Sequence, residues 1–127
     1  MALGDELRNT SSSYCREDEL LEIVKREVER VKKEIERQAP YMARTGARSF
    51  VLHDDWDHCD AVYIIRLGKA SKQEIDYAKK VFSHLISTYA KENDIKISYS
   101  ESLHKERYSL FEAPHISIHI EPIRISW

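Results

Sequence analysis

Apolar residues recur at steps of three and four through two long stretches of the chain, the spacing that places side chains on one face of a helix. The first stretch, residues 21–42, has a narrow apolar stripe among charged residues. The second, residues 75–89, has a wider apolar face suited to packing on a sheet. Ser71 and Glu74 form a capping box, so we expect the second helix to begin there. The pattern therefore predicts two helices of different character.

The limits of the first helix follow from its charged and special residues. Carboxylates at positions 17–19 favour the positive end of a helix dipole, so we expect the helix to start near Arg16. Pro40 predicts a kink or an end near Ala39, and Gly46 predicts the final stop.

Alternating apolar and polar residues predict strands in the remaining segments. Residues 48–53 and 61–67 have this pattern, and we expect them to form a hairpin across an acidic turn. A third strand begins at Ile95 after the second helix, whereas residues 101–114 have no clear pattern.

The last segment of the chain carries two sets of isoleucines whose parity changes at Pro122. A bulge or bend at Glu121 and Pro122 would bring both sets onto one face. A proline at that place also favours an edge strand, because it cannot donate to a ladder.

These elements follow one another in the order α-β-β-α-β-β, with room for one more strand. We expect an α+β two-layer sandwich with the two helices on one face of a mainly antiparallel sheet. Residues 1–13 are expected to be a disordered leader, and residues 14–127 a single α+β domain.

Composition narrows the function classes. The 127 residues carry 20 Lys and Arg against 22 Asp and Glu, a net charge of -2 that gives no general attraction to nucleic acid or acidic membranes. No apolar run approaches the roughly 18 to 20 residues of a membrane span, so no membrane association is expected. Asp5 and Glu6 stand where an export signal would be cationic and then apolar, which favours a cytoplasmic location with Cys15 and Cys59 as free thiols. No cofactor is expected.

The stripe of the first helix needs a surface to cover it. It can pack on the sheet of its own chain, or it can join two copies as a homodimer through the first helix. The candidate partner-binding residues are Leu21, Val24, Val28, Val31 and Ile35.

Histidines are the main candidates for catalysis, namely His53, His58, His115 and His119. On a strand, His115, Ser117 and His119 would share one face. The segment His115-Ile116-Ser117-Ile118 resembles one of the paired His-x-Ser/Thr motifs of two-histidine phosphoesterases. That resemblance implies imidazoles acting as acid and base on a phosphodiester, but the chain contains no second copy of the motif.

Two further kinds of site are weaker hypotheses. A metal could be held by His53, Asp55, Asp57 and His58, although an acidic turn explains the same residues and no metal is expected. Nucleic acid could be bound by a local basic patch. Its candidate residues are Arg44, Arg48, Lys69 and Lys72.

No motif fixes an activity. We therefore expect a small intracellular binding or self-assembly protein without an evident catalytic centre. The alternatives are a hydrolase or phosphoesterase that uses a His/Asp cluster, and a nucleic-acid-binding module. The ligand, the biological process and the oligomeric state are left open by the sequence.

Overall fold

The computed structural model describes residues 16–54 and 59–127, which form two helices and four strands. In chain order they are α1 (Arg16–Arg44), β1 (Ser49–Val51), β2 (Tyr63–Gly68), α2 (Lys72–Glu92), β3 (Lys96–Glu106) and β4 (His115–Ser126). The predicted α+β class and element order are confirmed. No helix in these ranges is both long and apolar enough to cross a membrane.

The twelve-residue strand β4 is the centre of an antiparallel sheet. β3 pairs with β4 along one border, from Lys96↔Ser126 to Glu106↔His115. β1 and β2 follow one another along the opposite border of β4. The predicted hairpin is present only beside the acidic turn, where His53 and Asp60 form an antiparallel bridge and Ala61 N donates to Leu52 O at 2.9 Å. β1 and β2 themselves do not pair with each other. Their alternation identified both strands but could not show that each would pair with β4, which lies far away in the sequence.

The bulge expected near the end of the chain is present. Tyr99 pairs with Ile123 and Glu101 pairs with Ile120, so residues 121 and 122 together oppose one residue of β3. Ile120 and Ile123 are consequently both buried on the helix-covered face.

The edge position expected from Pro122 is wrong, because β4 is paired on both borders. On the border away from β3, Leu52 N donates to Ile123 O at 2.9 Å, and the next pair is Tyr63↔Ile120. Pro122 is tolerated in this paired strand because it lies within the bulge, where residues 121 and 122 together oppose one residue of β3 and the regular ladder is interrupted.

The core lies between the sheet and the two helices. Phe82 from α2 and Ile65, Ile118 and Ile125 from the sheet are at most 1% exposed. α1 continues through Pro40 to Arg44, and Gly46 follows with a φ of 87°. The capping box predicted at the start of α2 is confirmed, since Glu74 N donates to Ser71 Oγ and Ser71 N donates to Glu74 Oε1, each at 3.2 Å.

Candidate functional site

The stripe of α1 packs within its own chain. Val24, Val28, Val31 and Ile35 are between 0 and 3% exposed and belong to the single core cluster, while Leu21 is half-buried. Of the two arrangements that the sequence allows for the stripe, the structure thus contains the intramolecular one. A homodimer through α1 stays a prediction, and it would have to use side chains outside this stripe.

The histidines of β4 lie on the open face, by which we mean the sheet face opposite α1 and α2. His115 and His119 alternate with isoleucines that point into the core. Pairing with β3 adds His104, because His104 opposes Ser117 and Ser102 opposes His119. His104 could not be assigned to this row from the sequence, because residues 101–114 have no clear periodicity.

The rings of His104 and His119 are stacked, with 3.7 Å between their centroids and 20° between their planes. Ser102 Oγ lies 3.1 Å from His104 Nε2. At the end of the same row, the hydroxyl of Tyr108 donates to Glu106 at 3.1 Å and its ring meets His115 edge-on. Rings in direct contact leave no room between them for a phosphodiester.

The environment of His119 disfavours its charged form. Partial burial lowers the pKa of His119, and the neighbouring His104 and Arg66 lower it further, while Glu121 and Glu106 act in the opposite direction. We therefore expect His119 to be neutral at neutral pH.

His53 lies apart from this row. It sits in the connection between β1 and β2, where its Nδ1 donates to Val51 O at 2.8 Å. The side chain of Gln38 on α1 binds both its backbone groups, donating to His53 O at 3.0 Å and accepting from His53 N at 3.2 Å. These contacts explain why a polar residue stands in the apolar stripe of α1, and they keep His53 on the helix side of the sheet.

The metal hypothesis depends on residues that the structure leaves out. Asp55, Asp57 and His58 lie outside the described residues, so their contribution stays a prediction. Within residues 16–54 and 59–127, no group of three or more His, Cys, Asp or Glu side chains is placed to hold a metal ion.

The four basic candidates are divided between two ends of the sheet. Arg48 O accepts from Trp127 N beyond the last residue of β4, and Arg44 ends α1 close by in the chain. Lys69 follows Gly68, which pairs with Ile116 at the start of β4, and Lys72 is the first residue of α2. A strand of this length separates its ends by about 35 Å, so the structure does not bring these four residues together.

The outer border of β3 is a further candidate binding surface. Among the described strands, β3 pairs with β4 alone, which leaves its outer border unpaired over eleven residues. An open groove of about 790 Å³ runs between this border and α2. Its wall comes from α2 and its floor from β3. The lining residues are Lys79, Lys80, Ser83, His84, Ser87, Ile97, Ser98, Tyr99 and Glu101.

Hydrogen bonds on the far side of β4 show which backbone groups of β3 point outward. Leu52 N donates to Ile123 O, and Trp127 N donates to Arg48 O, so the odd-numbered residues of this part of β4 bond away from β3. The N–H and C=O groups of successive residues in a strand point to opposite sides, so those of Arg124 and Ser126 point towards β3. Their partners are Ser98 and Lys96.

The residues between these partners direct their N–H and C=O groups away from β4. They are Ile97 and Tyr99, and the same alternation along β3 adds Glu101, Leu103 and Lys105. The border therefore presents a regular row of backbone donors and acceptors.

The side chains beside this border are held by α2. Tyr99 meets Phe82 edge-on with 5.2 Å between ring centroids, and burial raises the pKa of Tyr99. Lys79 Nζ lies 3.8 Å from Glu101 Oε1. Leu103 points to the same side but is 40% exposed. An unpaired strand, a groove and an exposed apolar side chain thus meet at one border.

Comparison with known proteins does not add an identification. No family model matches the chain, and neither a curated protein nor a solved structure is detectably similar to it. The fold and the surfaces described above are consequently the basis for inferring function.

Proposed function

We propose that this protein is a binding protein that takes an extended polypeptide segment onto the outer border of β3, the mode called strand addition. The observation that carries the proposal is the unpaired eleven-residue border of β3 among the described residues. Long borders of this kind readily pair with another chain unless they are shortened, bulged or covered.

The groove beside β3 supports the same proposal. In strand addition, main-chain hydrogen bonds supply affinity, and side chains of the added segment enter neighbouring pockets. Here α2 provides a wall along Ile97 and Tyr99, and Lys79, Lys80 and His84 give that wall basic groups. An added segment would therefore contact both backbone and side chains.

The hydrolase or phosphoesterase alternative receives less support. His53 is on the helix side of the sheet, whereas His104, His115 and His119 are on the open face. The stacked rings of His104 and His119 are in contact with each other and do not face each other across a cleft. The nucleic-acid alternative is also less favoured, because its four basic residues are divided between the two ends of the sheet.

A selection from a phage-displayed library of random linear peptides tests the proposal. We expect the selected peptides to shift the backbone amide NMR signals of β3 and of the facing side of α2. Peptides that bind elsewhere, or a library that yields no binder for a protein that is monomeric in solution, would contradict strand addition on β3.

Leu103→Pro provides the matched variant, because it removes an outward N–H without removing a bond to β4. Leu103→Val keeps both the N–H and an apolar side chain, and is the control. We expect Leu103→Pro to abolish peptide binding and Leu103→Val to retain it, with both variants folded by circular dichroism. Equal binding by the two would show that the backbone of β3 is not used.

A further inference from the structure

We infer that the segment added to β3 is the β3 strand of a second copy of this chain, so that two sheets join across a two-fold axis at Glu101. This inference rests on the strand-addition proposal and names its partner. When the sequence of β3 is reversed about Glu101, Lys96 falls opposite Glu106 and Tyr99 falls opposite Leu103.

The backbone is compatible with this register. The outward groups belong to odd-numbered residues, and reversal about Glu101 sets odd residues opposite odd residues. Ile97 meets the partner's Lys105, and Tyr99 meets the partner's Leu103. These outward pairs would form roughly ten backbone hydrogen bonds along the full strand. A register shifted by two residues overlaps over a shorter length.

In this register, the side chains of β3 on the open face are also complementary to those of the partner's β3. Lys96 stands opposite the partner's Glu106 at each end of the paired strands. Between them, Ser98 stands opposite the partner's His104. Both Lys96 and Glu106 are exposed in the single chain. Opposite charges placed directly across an antiparallel pair are favourable, and the two-fold axis produces this pair twice.

On the face that carries the helices, pairing of the two β3 strands would cover the exposed side chain of Leu103. Leu103 is 40% exposed, and the partner's Tyr99 would lie directly opposite it. The two Glu101 side chains meet on the axis, where like charges would repel. Each is accompanied by its own Lys79, whose Nζ is 3.8 Å from the carboxylate, so the axis carries two cations with two anions.

Cross-linking tests the register directly. In a chain with Cys15→Ser and Cys59→Ser, Glu101→Cys places two thiols across the axis. Residues directly opposite in such a pair have Cα atoms about 5.5 Å apart, within the range that a disulfide spans. We expect mild oxidation to convert this variant to a covalent dimer.

Ser98→Cys in the same background is the matched control. In the inferred register the two copies of position 98 are about 20 Å apart along the strands, so no covalent dimer is expected. Equal cross-linking of both variants, or cross-linking of neither, would overturn the inferred register.

Charge reversal tests the same register without a covalent bond. In sedimentation experiments we expect wild type to dimerise and Lys96→Glu to weaken dimerisation at least about tenfold, since it faces the partner's Glu106 twice. Lys96→Glu combined with Glu106→Lys should restore affinity to within about threefold of wild type. Lys72→Glu, a reversal at the start of α2, should have no effect.

These experiments distinguish failure of the dimer from failure of strand addition itself. A wild type that stays monomeric at high concentration overturns the second copy as occupant. If library peptides still bind β3 in that protein, strand addition stands and the occupant is another polypeptide. If no peptide binds β3 either, the strand-addition proposal fails as well.

Discussion

The two outer borders of the sheet are built differently. One border consists of β1 and β2, with three and six residues, and the chain leaves the sheet between them. The other is β3, which continues over eleven residues. Short and interrupted strands are common protection against unwanted pairing. The first border is thus short and interrupted, whereas the second is long and, among the described strands, unpaired on its outer side.

Each border also depends on a different helix. The interruption between β1 and β2 is held by Gln38 of α1, which binds the backbone of His53. β3 is backed by α2, which covers Tyr99 through Phe82 but leaves Leu103 40% exposed. Substitutions in the two helices should therefore affect the two borders separately.

The largest effect is expected where α2 supports β3. Phe82 is 1% exposed, so Phe82→Ala should leave a cavity and lower the free energy of unfolding by about 3 to 5 kcal/mol. Urea titration measures this change. Phe111→Ala is the control, since Phe111 is 98% exposed and its removal should alter stability by less than about 0.5 kcal/mol. A small loss of unfolding free energy in Phe82→Ala would show that α2 does not support β3.

The next effect distinguishes the inner from the outer side of β3. Ser102 opposes His119 and bonds towards β4, so Ser102→Pro removes a ladder bond and should lower stability by up to about 3 kcal/mol. Leu103→Pro removes an outward N–H and should have a much smaller effect on the monomer. Thermal unfolding of the two variants at low protein concentration provides the comparison. The opposite ranking would contradict the alternation inferred for β3.

A smaller effect is expected at the interrupted border. Gln38→Ala removes both hydrogen bonds to the backbone of His53 and should lower the free energy of unfolding by about 1 to 2 kcal/mol. Hydrogen exchange should become faster in the β1–β2 connection and stay unchanged in β3. Lys33→Ala, on the exposed side of α1, serves as the control. Faster exchange in β3 would show that the two borders are coupled.

The smallest effect concerns His119, which lies between the two borders. Its pKa is lowered by burial and by the charges of His104 from β3 and Arg66 from β2. The unfolded chain therefore takes up this proton first, and stability should fall as the pH drops from about 6.5 through the lower pKa of the folded state. NMR titration should find the pKa of His119 below about 6.5.

The same titration compares the influence of the two borders on His119. We expect His104→Ala to raise the pKa of His119 by more than Arg66→Ala does, because the first variant removes both a neighbouring charge and part of the burial. The reverse order would place His119 closer to β2 than the stacked rings indicate.

Local patterns in the sequence were sufficient for the elements of this fold. Ser71 and Glu74 identified the start of α2, and the change of parity at Pro122 identified the bulge in β4. These features depend on residues that are neighbours in the chain, so the physical chemistry that forms them is visible in a short window. The apolar stripe of α1 likewise predicted which side would be covered.

The sequence could not assign the partners of those elements, because the contacts join residues far apart in the chain. Alternation shows that β1, β2 and β3 are strands, but it does not show that all three pair with β4. For the same reason, the stacking of His104 on His119 could not be predicted, nor could the outer border of β3, which is unpaired among the described strands. The sequence by itself determined what each segment is, whereas the tertiary structure alone decided which surfaces of the described residues are covered and which are exposed.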